Sequence, residues 1–573
     1  MTRVSRLALC HALFVCLALA SPGRADEDRK KPRYPKAPSD AGVRLTPEAW
    51  KSAPVRKLTP AELDRLLLAG QKADKVQLAA PIDDAGFLRR ASLDLTGKLP
   101  GPREVQRFLA DRDAGKRGKL IDRLLASDAY ARQRSRYWRD VMLARATDNR
   151  PFVKLPREVA LEEWLFEQFK DNASWAVIAR AVITSTGTLN LREPKTGGDA
   201  AMLLSHTQAD GPVERTNDTA RVFLGINLQC AQCHDHPDDV WQRTHFHQMA
   251  AFYGKVVDRV RVTPPFTQNK PGVQNRNFET MLASKPFGDY RMPDRDNPKK
   301  STAVRPRFLT GETPAVFGSD RARRKALAGY VTAADNYYFS AAFVNRVWAE
   351  LMGQAFVTPV DNLGPLQPAL YSGVLLRLAA SFRASEHDVK ELYRLVMNSQ
   401  TYQRQMRMAD SPGEHVKFAG TYPTRLRADA LWDSLAAALD LRDYTAPRAA
   451  AAGPYRGRFT LSGQFKGLFA FDPSAKPEDV EGSVPQALML MNNRAINAQI
   501  RSRGNTVLAR VLRDFDRDAD AVNQLYLRAL GRSPSKRELQ VCLDHVAAVG
   551  QRGEAFEDLL WALINSAEFR TKR

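Results

Sequence analysis

Cys230, Ala231, Gln232, Cys233 and His234 read C-x-x-C-H, the attachment signature of c-type haem. Thiols at this spacing lie about one helical turn apart, so each can form a thioether with one vinyl group. The adjacent imidazole can then reach the iron as proximal ligand. Cys230, Cys233 and His234 are therefore the cofactor-binding candidates. The same stretch supports other chemistry. Cys230, Cys233, His234 and His236, followed by His245 and His247, also suit a tetrahedral zinc site. The metal-ligating candidates are His234, His236, His206, His245 and His247. A redox-active thiol pair and a structural disulfide are further readings, although no βαβ pattern of the thioredoxin kind surrounds the motif.

If haem is bound, a second axial ligand must come from elsewhere. His236 follows the proximal histidine too closely to cross the porphyrin plane and suits a supporting role. His206, His245, His247 and Met249 are the distal candidates. Trp241 to Tyr253 reads as a helix with Phe246, Met249, Ala250 and Tyr253 on one face, so core packing is the default for Met249. His245 and His247 cannot point the same way on that helix.

The elements that must position these residues are mainly helices. A capping box, Thr59-Pro60-Ala61-Glu62, opens the ordered part. Gly101-Pro102-Arg103-Glu104 opens a second helix, and Leu120, Ile121, Leu124 and Leu125 recur at helical spacing. Trp138, Trp164 and Trp175 fall in such patterns and read as core. From Pro264 to Pro314 there are eight prolines in 51 residues, which no long helix survives. Helical patterns resume at Tyr330 to Met352, Leu375 to Phe382, Leu392 to Met397, Val522 to Leu530 and Phe556 to Phe569. Tyr455 to Phe471 alternates enough to suggest a small β-hairpin. The expected fold is mainly α, with two α-rich domains, 58–256 and 315–573, joined by an irregular Pro-rich connector at 257–314.

Ahead of these domains, Arg3 and Arg6 precede an apolar run from Leu7 to Ala20 and a small-residue exit at Gly23-Arg24-Ala25. Residues 1–25 thus read as a secretory signal peptide, and 26–57 as a basic, Pro-rich arm. The mature protein is expected in the periplasm or outside the cell, without a transmembrane segment. Cys230, Cys233 and Cys542 remain after cleavage, with Cys542 expected as a buried helical thiol.

The 573-residue chain carries a formal charge of +22, which loss of Arg3, Arg6 and Arg24 lowers to +19. An acidic redox partner or an anionic polysaccharide suits this excess. Nucleic acid does not, because the chain is exported and no reading module is visible. No G-x-S-x-G, Walker loop, H-E-x-x-H or kinase signature supports a common hydrolase or nucleotide reading.

Phe87-Leu88-Arg89-Arg90-Ala91-Ser92-Leu93-Asp94-Leu95-Thr96-Gly97 resembles the opening of the domain of unknown function numbered 1549, a domain abundant in planctomycetes. Arg221-Val222-Phe223-Leu224-Gly225, leading into Cys230 to Pro237, Trp241 and Ala250-Ala251-Phe252, resembles its other signature. Val344-Asn345-Arg346-Val347-Trp348, Asp361-Asn362-Leu363-Gly364, Ser399-Gln400-Thr401-Tyr402, Arg425 to Leu431, Val484 to Leu488 and Arg528 to Arg532 resemble its usual partner, domain 1553. The resemblance implies an exported protein whose relatives often carry their own cytochrome c module, and it supplies no activity. Here only the basic arm separates the signal from the first domain, which leaves no place for such a module. Asp238 and Val240 also stand where relatives tend to carry an aromatic and a basic residue. Asn345, Arg346 and Trp348 read as bracing and packing residues, and Asp94 and Thr96 as turn and cap residues.

The best functional expectation is covalent haem binding with an electron-transfer or oxidative role. The alternative is a non-redox envelope protein, a zinc-dependent enzyme or a polysaccharide-binding module, whose Cys/His cluster holds metal or a disulfide.

Overall fold

The computed structural model describes residues 45–148, 151–190, 196–206, 211–263, 277–316, 318–411, 413–441 and 460–572. Residues 1–25, read as a signal peptide, and residues 26–44 of the expected arm lie outside these residues. The rest of the arm is ordered earlier than its composition suggests: Thr46 caps a helix, Pro47–Ser52, whose Trp50 is buried against Tyr337. The fold is mainly α, with sheets of two or three strands. Among the described residues no helix is long and apolar enough to cross a membrane.

The Pro-rich stretch is more regular than expected. β1 (Thr188–Asn190), β2 (Val256–Thr263) and β3 (Asn277–Ser284) form an antiparallel sheet in the order β1-β3-β2. β4 (Arg291–Pro293) and β5 (Ser301–Ala303) then pair as a ribbon. Pro286, Pro293 and Pro298 fall at strand ends and in the turn, where a missing N–H breaks no central ladder.

Nor does the hydrophobic core divide at this stretch. One core runs from Trp50 to Phe418, and a second packs Leu426 to Phe569. The helix Asp84–Thr96 is the axle between them, buried at every residue from Phe87 onward. Leu88, Ala91 and Leu95 join the first core, while Leu93 joins the second. Arg89 donates to the Leu530 and Glu568 carbonyls, and Arg90 to those of Tyr402 and Arg404. Remote carbonyls thus accept from the terminal nitrogens of two buried guanidinium groups. Asp94 and Thr96 lie inside this helix rather than in a turn. Asp94 accepts from the Tyr402 hydroxyl at 2.6 Å, and the helix ends at Gly97, whose φ of 65° suits glycine.

In the first core Trp138, Trp175, Phe343 and Phe382 stack in succession, with Trp138 to Phe343 ring centroids 5.2 Å apart; Trp164 is half-buried at its edge. The long helical pattern beyond the strands is two helices, Asp320–Val331 and Tyr337–Met352, because Asn336 folds back onto the Tyr330 and Val331 carbonyls. Asn345 bonds the Val357 carbonyl and amide, Arg346 pairs with Asp361, and Trp348 packs on Phe356 and Phe418. These three residues brace the interior. Cys542 is buried on the helix Lys536–Val549.

The expected β-hairpin at 455–471 is corrected. Residues 455–459 lie outside the described set, and Leu461–Phe469 is an α-helix. Thr460 accepts from the Gly463 amide as its N-cap. Phe465 and Phe469, one turn apart, stack at 4.2 Å, and Phe465 packs on Trp432. The aromatic spacing that resembled alternation is an i,i+4 pair.

Two half-buried histidines make stability depend on pH. Burial, with Arg180 and Arg383 nearby, pushes His387 down to about 4; burial likewise lowers His415 to about 4. The ordinary value is about 6.5, so the fold favours the neutral rings. Their contribution is full above that value and is lost as pH falls from it toward 4. Urea midpoints should fall across this window, and the fall should shrink in His387→Gln and His415→Gln.

Candidate haem-attachment site

The helix Gly211–Thr219 passes into a π-helical segment, Ala220–Leu224, that stops at Gly225 with φ 64°. A Cβ there would lie 2.6 Å from Leu363, whose amide donates to the Gly225 carbonyl at 2.8 Å. Four residues later a 3-10 helix, Gln229–Gln232, carries Cys230, with Cys233 just past its end. Both cysteines are exposed and unbonded to each other.

His234 is exposed, and its Nδ1 lies 2.7 Å from the Asp235 carbonyl oxygen. A carbonyl only accepts, so Nδ1 is the donor, which in a neutral ring leaves the lone pair on Nε2. That is the tautomer of an imidazole that ligates through Nε2 with its other nitrogen held by the backbone. The next residues close a tight loop: the His236 amide donates to the Trp241 carbonyl at 2.7 Å, and the Arg243 amide to Asp235 Oδ1 at 2.9 Å.

The other histidines are engaged differently. His236 Nδ1 accepts from the Asp238 amide at 3.1 Å, and His245 Nδ1 from the Gln242 amide at 3.2 Å. Their neutral rings therefore carry the proton on Nε2. His247 is buried. Its Nε2–H donates to the Gln232 carbonyl at 3.1 Å, and its Nδ1 accepts from the Tyr290 hydroxyl at 2.8 Å. Burial first, then Arg243, pushes His247 down to about 4, while burial pushes the Tyr290 phenol up to about 12. A neutral ring and a protonated phenol thus brace the 3-10 turn. His206 is buried away from the motif's surface, its Nε2–H donating to Asp218 at 2.8 Å. Met249 is fully buried in the first core.

The structure therefore brings Cys230, Cys233 and His234 together on an exposed turn and sets His247 against its backbone. It does not gather the wider donor set. Among the described residues, no three His, Cys, Asp or Glu side chains converge as a metal site. Hydrogen bonds at Nδ1 already fix the tautomers of His236 and His245.

Several contributors escaped sequence reasoning. Gln367 donates to the Asp238 carbonyl at 2.8 Å and to Asp239 at 3.2 Å, which fastens the loop after the motif. Gly364 permits this docking, since a Cβ there would sit 1.4 Å from Asp239 Oδ2. Nothing near the motif in sequence signals a partner so far along the chain. Tyr290, across the β-rich stretch, carries no local signal either.

Residues 62–258 match a family model described as Protein of unknown function (DUF1549), and residues 323–456 match one described as Protein of unknown function (DUF1553). The first match holds the whole C-x-x-C-H turn, and the second holds the loop that docks on it. No curated protein and no solved structure matches the chain.

Proposed function

For a chain that carries a DUF1549 domain followed by a DUF1553 domain, we propose that Cys230 and Cys233 attach haem covalently and that His234 is its proximal ligand. The protein then acts in electron transfer or oxidation outside the cytoplasm. The observation that carries this reading is the His234 imidazole, whose Nδ1–H is held by the Asp235 carbonyl beside two exposed, unbonded thiols. The donor set suits the group: each thiol can add its S–H across one vinyl bond, forming a C–S bond without net oxidation. When bound, haem supplies one-electron chemistry at an iron whose potential follows its axial ligands and exposure.

The chain's own residues constrain that role. His206, His247 and Met249 are buried, and His245 has its Nδ1 engaged, so none of them would hold the group without breaking a contact, and Cys230, Cys233 and His234 are the residues that would hold it. The surface charge supports an acidic redox partner. Among the described residues nine arginines and Lys255 are buried along with eight aspartates, so the buried charges nearly cancel. Complex formation of this kind weakens with salt.

The test is His234→Gly. The thioethers do not involve this side chain, so the denatured chain should still stain for haem, at lower yield. The reduced spectrum should change, and added imidazole should restore it. An unchanged spectrum would exclude His234 as the proximal ligand.

A further inference from the structure

β6 (Thr424–Arg425) and β7 (Thr571–Lys572) pair antiparallel near the chain's end, and the Leu426 amide donates to the Arg570 carbonyl at 2.9 Å. This pairing sets Arg425 and Arg570 side by side in the wall of a cavity of about 310 Å3. Such a volume suits a small ligand. Leu426, Leu431 and Phe469, all buried, supply an apolar lining.

The two arginines lack the compensation that most half-buried guanidinium groups find in this protein. Among the described residues Arg425 makes no side-chain hydrogen bond or ion pair, and Arg570 donates only to the Ser566 carbonyl at 3.4 Å. Burial first, and Arg425 second, lower the pKa of Arg570, as expected for like charges held together. Gly482 lets the backbone pass over Arg425: a Cβ there would meet the guanidinium at 2.8 Å. Asp479 and Glu481 also line the cavity, but both are exposed and neither forms an ion pair with the arginines. They disfavour compact, multiply charged anions at the mouth and leave a single carboxylate with an apolar body as the best match.

We propose that this cavity is a binding site for a small organic monocarboxylate, held by the guanidinium forks of Arg425 and Arg570 with its hydrocarbon body against Phe469, Leu426 and Leu431. Forked, charge-assisted contacts are the usual way arginine recognises a carboxylate. The site is separate from the C-x-x-C-H turn and independent of whether haem is bound there.

The test is calorimetric titration of the full chain with 1-naphthoate and decanoate, using neutral 1-naphthamide as control. At least one acid should bind with Kd below about 1 mM, and the amide, Arg425→Gln and Arg570→Gln should each weaken binding by about tenfold or more. Arg425→Gln removes no side-chain hydrogen bond or ion pair among the described residues, so the melting temperature should not fall. Arg425→Lys, which keeps the charge without the fork, should fall between wild type and Arg425→Gln. The proposal is overturned if neither acid binds wild type, if the amide binds as tightly as naphthoate, or if the folded Arg425 variants bind like wild type.

Discussion

On the proposed haem attachment, changing Cys230 and Cys233 together to alanine should leave no covalently attached haem, while Cys230→Ala and Cys233→Ala should each keep one thioether and a haem spectrum shifted by the remaining free vinyl group. The denatured double variant should show no haem-dependent stain. The fold should persist, because both side chains are exposed on a short 3-10 turn and bonded to nothing. A stability change within about 0.5 kcal/mol is expected, as for surface substitutions away from caps and networks. The same variants discriminate among the three readings of the thiols. A native disulfide would make the double variant less stable by about 2–5 kcal/mol, and a zinc site would release metal without any change in colour.

Glu350→Ala should give the largest loss of stability in the molecule, about 3–5 kcal/mol, because it strands a fully buried Arg134 charge. Arg134 donates to both Glu350 oxygens at 2.7 Å and to the Asp94 carbonyl at 2.7 Å, and it also bonds the Tyr393 hydroxyl. Tyr393 donates to Glu350 at 2.7 Å, and Lys572 pairs with Asp94. This network joins the helix between the two cores to the C-terminal strand. Burial alone would raise the Glu350 carboxyl, but Arg134, the Tyr393 hydroxyl and the Lys572 charge outweigh it and hold the group below its ordinary value. The pair's contribution is therefore present above the ordinary carboxylate pKa and is lost as pH falls through the folded value. Glu350→Gln, which keeps acceptor and shape, should lose less. Urea midpoints report both; a shift equivalent to under about 1 kcal/mol for Glu350→Ala would mean that the network contributes little.

Local signals in the sequence were legible where one stretch supplies all the geometry. The Thr59 and Glu62 capping box, Pro102 at a helix start and the spacing of Cys230, Cys233 and His234 all appear as written. Failures came where partners lie far apart. Val260 and Val262 lie in a strand whose partner, β3, starts fourteen residues or more further along, and the eight prolines of this stretch give no local sign of that pairing. Arg89 and Arg90 look like surface charges, yet their partners are carbonyls at Leu530 and Tyr402 that no local pattern ties to them. At the site, the C-x-x-C-H spacing reveals the donors but not the tautomer of His234, which depends on one backbone carbonyl. Likewise, His245 and His247 qualify as ligands by residue type, and only the Gln242 amide, the Gln232 carbonyl and Tyr290 show both rings to be engaged.

The central claim is tested most directly on the full-length protein, exported from a host with active haem-attachment machinery. Denaturing electrophoresis with haem staining, combined with the intact mass of the same band, should show one haem per chain that survives denaturation. A colourless band of haem-free mass, with Cys230 and Cys233 either free or joined in a disulfide, would contradict it.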